Sequence, residues 1–244
     1  MEIRACVFDY GNTLAREKGF DCLAGMRNIM TEVIENPYNV TAEQLVELSE
    51  QLDDYMGRRE GYIKKFGTVE YPEMISLKYI FDYYGLKFST SLEEIEYMFW
   101  EGCTESEEFA DTTLMLKKLQ ENNIALAVVS NNSFSSYSLE RRLNVLFPEI
   151  KFDYIYSSAT CAFRKPDIFV YRLIERKLEI ESDKIIFIGD RKDTDIEGAN
   201  DAGFKSLKIG SDKSDDSKEG VIESWKEFLN QVEITDGCIY VDFT

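Results

Sequence analysis

The stretch FDYGNTL, at residues 8–14, decides the fold that we predict for this chain. It follows a short apolar run at residues 3–7, IRACV, which is typical of a buried strand. The strand would end at the carboxylate of Asp9, and Gly11 and Asn12 favour a sharp turn directly after it. Ligands of an open parallel sheet bind just beyond the carboxyl ends of its strands, so Asp9 is a candidate functional residue. Taken alone, these residues would fit an ordinary turn with a solvated aspartate equally well.

The second half of the chain alternates between predicted strands and predicted helices. Such alternation favours a doubly wound, Rossmann-like parallel sheet of the α/β class. Residues 238–243 could add an edge strand or form a tail. The strands predicted after the first one cover residues 124–129, 152–156, 184–189 and 205–209. The helices predicted around them cover residues 114–119, 137–146, 167–177, 194–203 and 222–231.

Residues 16–105 show helical periodicity and no convincing strand. A capping box at residues 41–44, TAEQ, begins one helix. Other helices are predicted at residues 22–35, from about 72 to 85, and from about 91 onward. The pattern indicates an all-helical cap inserted into the α/β part, so we predict a core of residues 1–15 and 106–244 and a cap of residues 16–105. The acidic stretch 105–111 would be the exit linker of the cap.

The composition excludes several classes of function. With 28 Lys and Arg against 46 Asp and Glu, the net charge is −18, which argues against nucleic acid or an anionic membrane as a partner. The chain has no histidine, which excludes Ser-His-Asp and Cys-His catalysis and any His-ligated zinc site. We expect no membrane span and no signal peptide. The five scattered cysteines are expected to be reduced thiols in a cytoplasmic protein.

Polar side chains follow three of the predicted strands, and a basic residue precedes a helix. Ser130 ends the strand VVS, Asp190 and Asp195 follow the strand IIFIG, and Lys165 lies in the segment RKPD. Because the carboxyl ends of parallel strands share one edge of a sheet, these residues should meet Asp9 there. Oxygen ligands of this kind suit Mg²⁺, and a lysine with a hydroxyl suits a phosphoryl group. Each residue also has an ordinary structural interpretation, as a helix cap, a surface lysine or a solvated turn.

The combination resembles the haloacid dehalogenase-like hydrolases, through the Thr-Leu of FDYGNTL, the Ser-Asn after the second strand and the Lys-Pro-Asp. The resemblance implies Mg²⁺-dependent phosphoryl transfer through an aspartyl-phosphate on the nucleophile Asp9. It also implies a helical cap at the position of residues 16–105. Two sets of residues follow from it. The phosphate would be held by Ser130, Asn131 and Lys165, and the metal by Asp9, the Gly11 carbonyl, Asp190 and Asp195.

One departure from the family pattern concerns position 11. Phosphatases of this family usually carry a second aspartate two residues after the nucleophile, as general acid and base, and this chain has Gly11 there. Dehalogenases also lack that aspartate but need no metal, and phosphonate-cleaving members use a cap lysine, for which Lys64 and Lys65 are candidates. We therefore expect a Mg²⁺-dependent phosphohydrolase acting on a small phosphorylated metabolite. The alternatives are carbon-phosphorus or carbon-halogen cleavage, or a weakly active descendant that binds a phosphorylated ligand or a protein.

Overall fold

A computed structural model of the chain describes residues 2–56, 67–210 and 221–241. Its strands are β1 (Glu2–Ile3), β2 (Ala5–Phe8), β3 (Ala15–Glu17), β4 (Val33–Glu35), β5 (Lys87–Phe88), β6 (Ser106–Glu108), β7 (Ala125–Ser130), β8 (Tyr154–Ser157), β9 (Ile185–Gly189), β10 (Lys205–Ile209), β11 (Val221–Ile222), β12 (Val232–Thr235) and β13 (Cys238–Val241).

The α-helices of the described residues are α1 (Cys22–Met30), α2 (Ala42–Met56), α3 (Glu73–Tyr84), α4 (Leu92–Cys103), α5 (Thr112–Glu121), α6 (Ser136–Leu146), α7 (Ser158–Cys161), α8 (Ile168–Leu178), α9 (Glu197–Asp201) and α10 (Trp225–Gln231). A 3₁₀ turn at Ser182–Lys184 precedes β9, and a π-helical turn at Lys192–Ile196 precedes α9.

Six of the described strands form the predicted parallel sheet, in the order β11-β10-β9-β2-β7-β8. Helices cover both faces, so successive side chains of one strand are buried in different layers. In β2, Cys6 and Phe8 pack in one apolar cluster, whereas Ala5 and Val7 pack in the other. Burial on both faces explains why these strands are almost continuously apolar in the sequence. The expectation of an α/β fold with a doubly wound parallel sheet is confirmed.

The first predicted strand is two strands in the structure. Ile3 belongs to β1, which pairs with β13 in antiparallel fashion, and Ala5 begins β2 of the parallel sheet. The exposed residue Arg4 lies between them and donates its backbone N–H to the Lys184 carbonyl. Of the predicted segment 238–243, residues 238–241 form the strand β13, and residues 242 and 243 lie outside the described residues. Strand β13 is the middle strand of a separate sheet of order β1-β13-β12, not an edge strand.

The segment 16–105 is mostly helical, with α1 to α4, but the expectation of an all-helical segment was wrong in two places. The predicted helix 22–35 ends at Met30, and residues 33–35 form β4, which pairs with β5. Val33 and Ile34 are β-branched, which favours a strand over a helix. The predicted linker 105–111 contains β6, which pairs with β3, so the entry and exit of the segment are held together. The boundaries of the two domains stay a prediction.

The strand order places the predicted functional residues side by side. Strand β2 lies between β9 and β7, so Asp9 follows the central strand, with Asp190 after β9 on one side and Ser130 at the end of β7 on the other. The register is parallel throughout, and the three carboxyl ends therefore meet at one edge of the sheet. Ligands of such sheets bind at that edge.

Candidate active site

A direct ion pair joins Asp9 to the side chain of Lys165. The Lys165 ammonium donates to Asp9 Oδ1 at 2.6 Å and lies 2.7 Å from Asp195 Oδ1. The three side chains are 2%, 13% and 1% exposed for Lys165, Asp9 and Asp195, so the contacts are largely shielded from water. Asp9 and Asp195 are 186 positions apart in the sequence, and both contact Lys165, as expected of residues that meet at one edge of the sheet.

Asn131 holds the backbone of Lys165 in place. Its side-chain Nδ2 donates to the Lys165 carbonyl at 2.9 Å, and its Oδ1 accepts from the Lys165 N–H at 2.7 Å. Both ends of the amide are therefore engaged with one residue. In the structure the Asn131 side chain positions Lys165, and its role as a phosphate ligand stays a prediction. The Asn131 backbone still lines the cleft described below, beside Ser130.

Three carboxylates come together where the metal ligands were predicted. Asp9, Asp190 and Asp195 each offer an oxygen, and these oxygens all lie within 4.8 Å of one another. The three are not equivalent, because Asp195 accepts the Lys165 ammonium with Oδ1 and the Arg191 N–H, at 3.0 Å, with Oδ2. Asp190 is half-buried and faces the cleft. The donor set of hard oxygens suits a cation such as Mg²⁺.

A cleft of about 560 Å³ opens over these groups. Its floor carries the strand-end residues, and its walls carry residues of the inserted segment and of the loop after β7. Besides the predicted residues, the cleft is lined by Tyr10, Asn12, Glu17, Trp100, Asn132, Ser133, Phe134, Arg164, Arg191 and Thr194. The cleft is thus large enough for a small metabolite and mixes acidic, basic and aromatic groups.

Burial and charge shift the pKa values of the site in a consistent direction. Burial, together with Asp195, raises the pKa of Asp9 to about 7, although Lys165 opposes the shift. Burial and the Asp195 charge also raise the pKa of Asp190. Burial by itself would lower the pKa of Lys165. The Asp9 and Asp195 carboxylates have a larger, opposite effect, so the pKa of Lys165 is raised. The site therefore holds more negative charge than one lysine offsets, and it favours an added cation.

Gly11 lies two residues after Asp9, at a point where the structure leaves room for a Cβ atom. The positive φ of the turn falls on Asn12, at 56°, and Gly11 is not among the residues with positive φ. A Cβ built on Gly11 meets no heavy atom within 4 Å. The backbone at position 11 would therefore accept a Cβ atom without strain.

Sequence reasoning missed several residues of the cleft. Glu17 lies on β3 and pairs with Arg142 at 2.8 Å, and burial raises its pKa. Trp100 comes from α4 and stacks on Phe134 with ring centroids 4.6 Å apart. Nothing in the local sequence marks these residues, because they reach the cleft through contacts across the chain. Lys64 and Lys65, the candidates for a substrate imine, lie outside the described residues.

Comparison with known proteins places the chain in a family. The sequence model of the haloacid dehalogenase-like hydrolase family matches residues 26–209. This match spans most of the chain, including β7, which ends at Ser130, and β9, which Asp190 follows. The chain belongs to the haloacid dehalogenase-like hydrolase family. It is therefore a hydrolase, and the resemblance drawn from its motifs is confirmed.

Two curated relatives show the range of chemistry within this hydrolase family. Over 227 residues, 90% of this chain and 91% of the relative, the hydrolase is 23% identical to a glyceraldehyde 3-phosphate phosphatase of Methanothermobacter thermautotrophicus. Over 94 residues, 38% of this chain and 41% of the relative, it is 32% identical to an (S)-2-haloacid dehalogenase of Pseudomonas putida.

Solved structures of the family share the fold of this hydrolase. A phosphatase of Thermococcus onnurineus superimposes with a TM-score of 0.56 over 93% of this chain and 97% of the other, at 17% sequence identity. None of the helices within the described ranges of this hydrolase is long and apolar enough to cross a membrane.

Proposed function

We propose that this hydrolase is a Mg²⁺-dependent phosphatase that acts on a small phosphorylated metabolite through an aspartyl-phosphate on Asp9. The observation that carries the proposal is the Lys165 ammonium, 2.6 Å from Asp9 and 2.7 Å from Asp195 at the carboxyl ends of the strands. A fixed positive charge beside the nucleophile can offset the charge of a phosphoryl group in the transition state. The phosphatase relative, which aligns over 90% of this chain, supports the same reaction class.

The metal would be held by Asp9, Asp190 and the Gly11 carbonyl. The grouping of acidic oxygens fits Mg²⁺, which takes few protein carboxylates and keeps waters. Asp195 belongs to the same group, but both of its oxygens already accept from Lys165 and Arg191, so it contributes mainly by fixing Lys165. When bound, the cation would supply charge neutralisation between the phosphoryl oxygens and the carboxylates.

The protein groups divide the reaction between them. An Asp9 carboxylate oxygen attacks phosphorus, the bond from phosphorus to the leaving oxygen breaks, and an aspartyl-phosphate forms. The Ser130 hydroxyl and the Lys165 ammonium donate to the phosphoryl oxygens, as the hydroxyl and lysine of this family do. Water then attacks phosphorus, releases inorganic phosphate and restores the Asp9 carboxylate. The shielded cleft strengthens these charged contacts relative to water.

The absence of an acid at Gly11 affects which class of phosphate ester the hydrolase can cleave. Without a carboxyl group at position 11, the leaving oxygen departs unprotonated or takes its proton elsewhere, and the family's acid and base would be worth about 10²–10⁴ in rate. We therefore propose a preference for acyl and aryl phosphates over alkyl phosphates. If alkyl phosphates such as glyceraldehyde 3-phosphate are turned over rapidly, another group of the cleft donates the proton. Glu17 is then the first candidate, since burial raises its pKa.

A substrate panel with and without Mg²⁺ tests the proposal. We expect phosphate release from acetyl phosphate and p-nitrophenyl phosphate that stops in chelator and returns with Mg²⁺, and none from the variant Asp9→Asn. The Pseudomonas putida relative makes dehalogenation the second candidate, and 2-haloacids therefore belong in the panel. Halide release that persists in chelator, with no phosphatase activity, would establish the dehalogenase instead. Binding of phosphorylated ligands without any turnover would identify a binding protein.

A further inference from the structure

A short piece of the inserted segment, residues 68–70, lies against the loop that presents Lys165. Val69 and Phe163 form an antiparallel bridge. On either side of it, the Glu70 N–H donates to the Ala162 carbonyl at 2.6 Å, and the Arg164 N–H donates to the Thr68 carbonyl at 2.7 Å. The backbone directly before Lys165 is thus paired, strand to strand, with residues that precede α3.

Side chains reinforce this pairing from the same piece of chain. Glu70 is buried, and its carboxylate accepts from the Ser158 hydroxyl at 2.7 Å and forms an ion pair with Arg164. The Thr68 hydroxyl donates to Asp167 Oδ2 at 2.8 Å, and Asp167 is the N-cap residue of α8. Contacts from residues 68–70 therefore reach the residues both before and after Lys165-Pro166.

Lys165 is consequently held from two sides. Asn131 fixes its backbone from the end of β7, and residues 68–70 fix the flanking backbone from the inserted segment. We propose that Glu70 is a positioning residue for Lys165, so that the pairing of residues 68–70 with the Lys165 loop completes the proposed phosphate site. The inference rests on the proposed phosphatase function for its kinetic consequences, but not for the contacts themselves.

The position of Glu70 predicts which kinetic constant it controls. A displaced Lys165 would still attract a phosphorylated substrate but would no longer match the charge that develops during transfer. Misplacement of a catalytic group by about 1 Å can cost up to about 10²-fold in rate. Loss of Glu70 should therefore lower kcat, with little change in KM, whatever the leaving group of the substrate.

The experiment compares Glu70→Gln and Glu70→Ala with a matched control. Glutamine keeps an acceptor for Ser158 but removes the charge that pairs with Arg164, and alanine removes both. The control is Glu35→Gln, which breaks the exposed pair of Glu35 with Lys87 in the same inserted segment. Each protein is assayed with acetyl phosphate and p-nitrophenyl phosphate, whose leaving groups differ in size. Hydrogen–deuterium exchange of the peptide 160–168, without ligand, and a thermal melt accompany the assays.

We expect Glu70→Gln to lower kcat about tenfold on both substrates, with KM changed less than about threefold, and Glu70→Ala to lower it further. Exchange in residues 162–167 should rise in both variants and not in Glu35→Gln. Unchanged exchange with unchanged kcat would overturn the inference. A loss confined to the larger leaving group, or an increase in KM alone, would also overturn it, because Glu70 would then act on the substrate. If the wild-type protein releases no phosphate, the proposed function fails, and the exchange measurement alone decides whether residues 68–70 brace the Lys165 loop.

Discussion

Asp9 shares one buried lysine with Asp195 and lies beside a third carboxylate, and this arrangement has opposite effects on the proposed catalysis and on stability. The Lys165 ammonium lies within 2.7 Å of both Asp9 and Asp195, and Asp190 is close by. Burial raises the pKa of Asp9 to about 7, which means that the folded protein resists the negative charge that Asp9 needs for its proposed role as nucleophile. Sites of this kind commonly sacrifice stability for function.

The variant Asp9→Asn should be more stable than the wild type in the absence of metal. The folded-state pKa of Asp9 lies above its ordinary value of 3.8, so the wild type loses stability as the pH rises from about 4 to about 7 and stays at the lower level above that. At pH 8 in chelator we expect the variant to melt about 4 °C or more above the wild type, a difference that fades below about pH 4. Thermal melts across this pH range make the comparison.

Added Mg²⁺ provides the control for that experiment. A cation held by Asp9 and Asp190 would stabilise the wild type through binding to the folded state alone, and the variant much less. A lower melting temperature for Asp9→Asn at pH 8 in chelator would contradict the expectation. The Lys165 attraction would then outweigh the burial of the carboxylate.

Gly11→Asp should restore the missing acid without distorting the turn. Position 11 has no positive φ, and its Cβ would meet no atom within 4 Å, so the backbone gives no reason for strain. We expect turnover of an alkyl phosphate to rise by a larger factor than turnover of an aryl phosphate, because only the poor leaving group needs a proton. The assays are steady-state rates of both substrates.

Gly11→Asn is the matched control, since it has the same shape without the acid. In this variant the ratio of alkyl phosphate turnover to aryl phosphate turnover should equal that of the wild type. The melting temperatures of both variants should stay near that of the wild type. Equal increases for the two substrates would show that the carboxyl group does not protonate the leaving oxygen. Rapid alkyl turnover by the unmutated protein would assign that role to another group.

Helix α6 joins the inserted segment to the core through a buried arginine. Arg142 donates to Glu17 on β3 and to Glu101 on α4, each at 2.8 Å, and also to the Trp100 and Thr104 carbonyls. Its guanidinium lies over the Trp100 ring, 4.0 Å from the centroid. One core side chain therefore fixes both the entry and the exit of the segment, beside the cleft.

Arg142→Met should destabilise the protein far more than Arg141→Met. Arg142 is 2% exposed, and its removal takes one donor away from two carboxylates and two carbonyls. Because Glu17 and Glu101 are about one-third exposed, the loss should be about 2–3 kcal/mol, below that of a fully buried pair. The neighbouring Arg141 is 41% exposed, and its loss should cost about 1 kcal/mol or less. Urea unfolding of both variants compares them, and equal losses would contradict this account.

The net charge of −18 affects how the hydrolase meets an anionic substrate. Repulsion between like charges slows association, and salt screens it, with a Debye length of about 10 Å at 0.1 M. At saturating Mg²⁺, kcat/KM for a phosphate substrate should therefore rise by about threefold or more between low salt and 0.15 M NaCl. The turnover number kcat should stay constant.

The comparison of kcat/KM with kcat contains its own control. An effect of salt on the folded protein or on metal binding would change both constants, whereas screening changes association alone. A fall of kcat/KM with salt would show that Arg164, Lys165 and Arg191, which line the cleft, attract the substrate despite the overall charge.

The fold class and the meeting of the predicted residues at one edge of the sheet were predictable because both depend on local patterns. A strand buried on both faces must be apolar along its length, and a turn with a polar side chain must end it, so FDYGNTL, VVSNN and FIGDRKDTD could be recognised in order. The order β9-β2-β7 in the sheet then brings Asp190, Asp9 and Ser130 together at one edge. The sequence also predicted Lys165 at this site. The residues around Lys165 in the sequence give no sign that the Asn131 side chain holds its backbone.

Only the tertiary structure decided which hydrogen-bond and ion-pair partners the side chains of the site have. The sequence determined the parallel sheet, the aspartates that follow its strands, and the presence of Lys165 beside them. It left open that Asp195 accepts from both Lys165 and Arg191, that the Asn131 side chain bonds the Lys165 backbone, and that residues 68–70 pair with the backbone before Lys165. These features arise from contacts between residues far apart in the chain, where no periodicity records the pairing. Burial, which raises the pKa of Asp9, likewise belongs to the packed molecule and not to the aspartate.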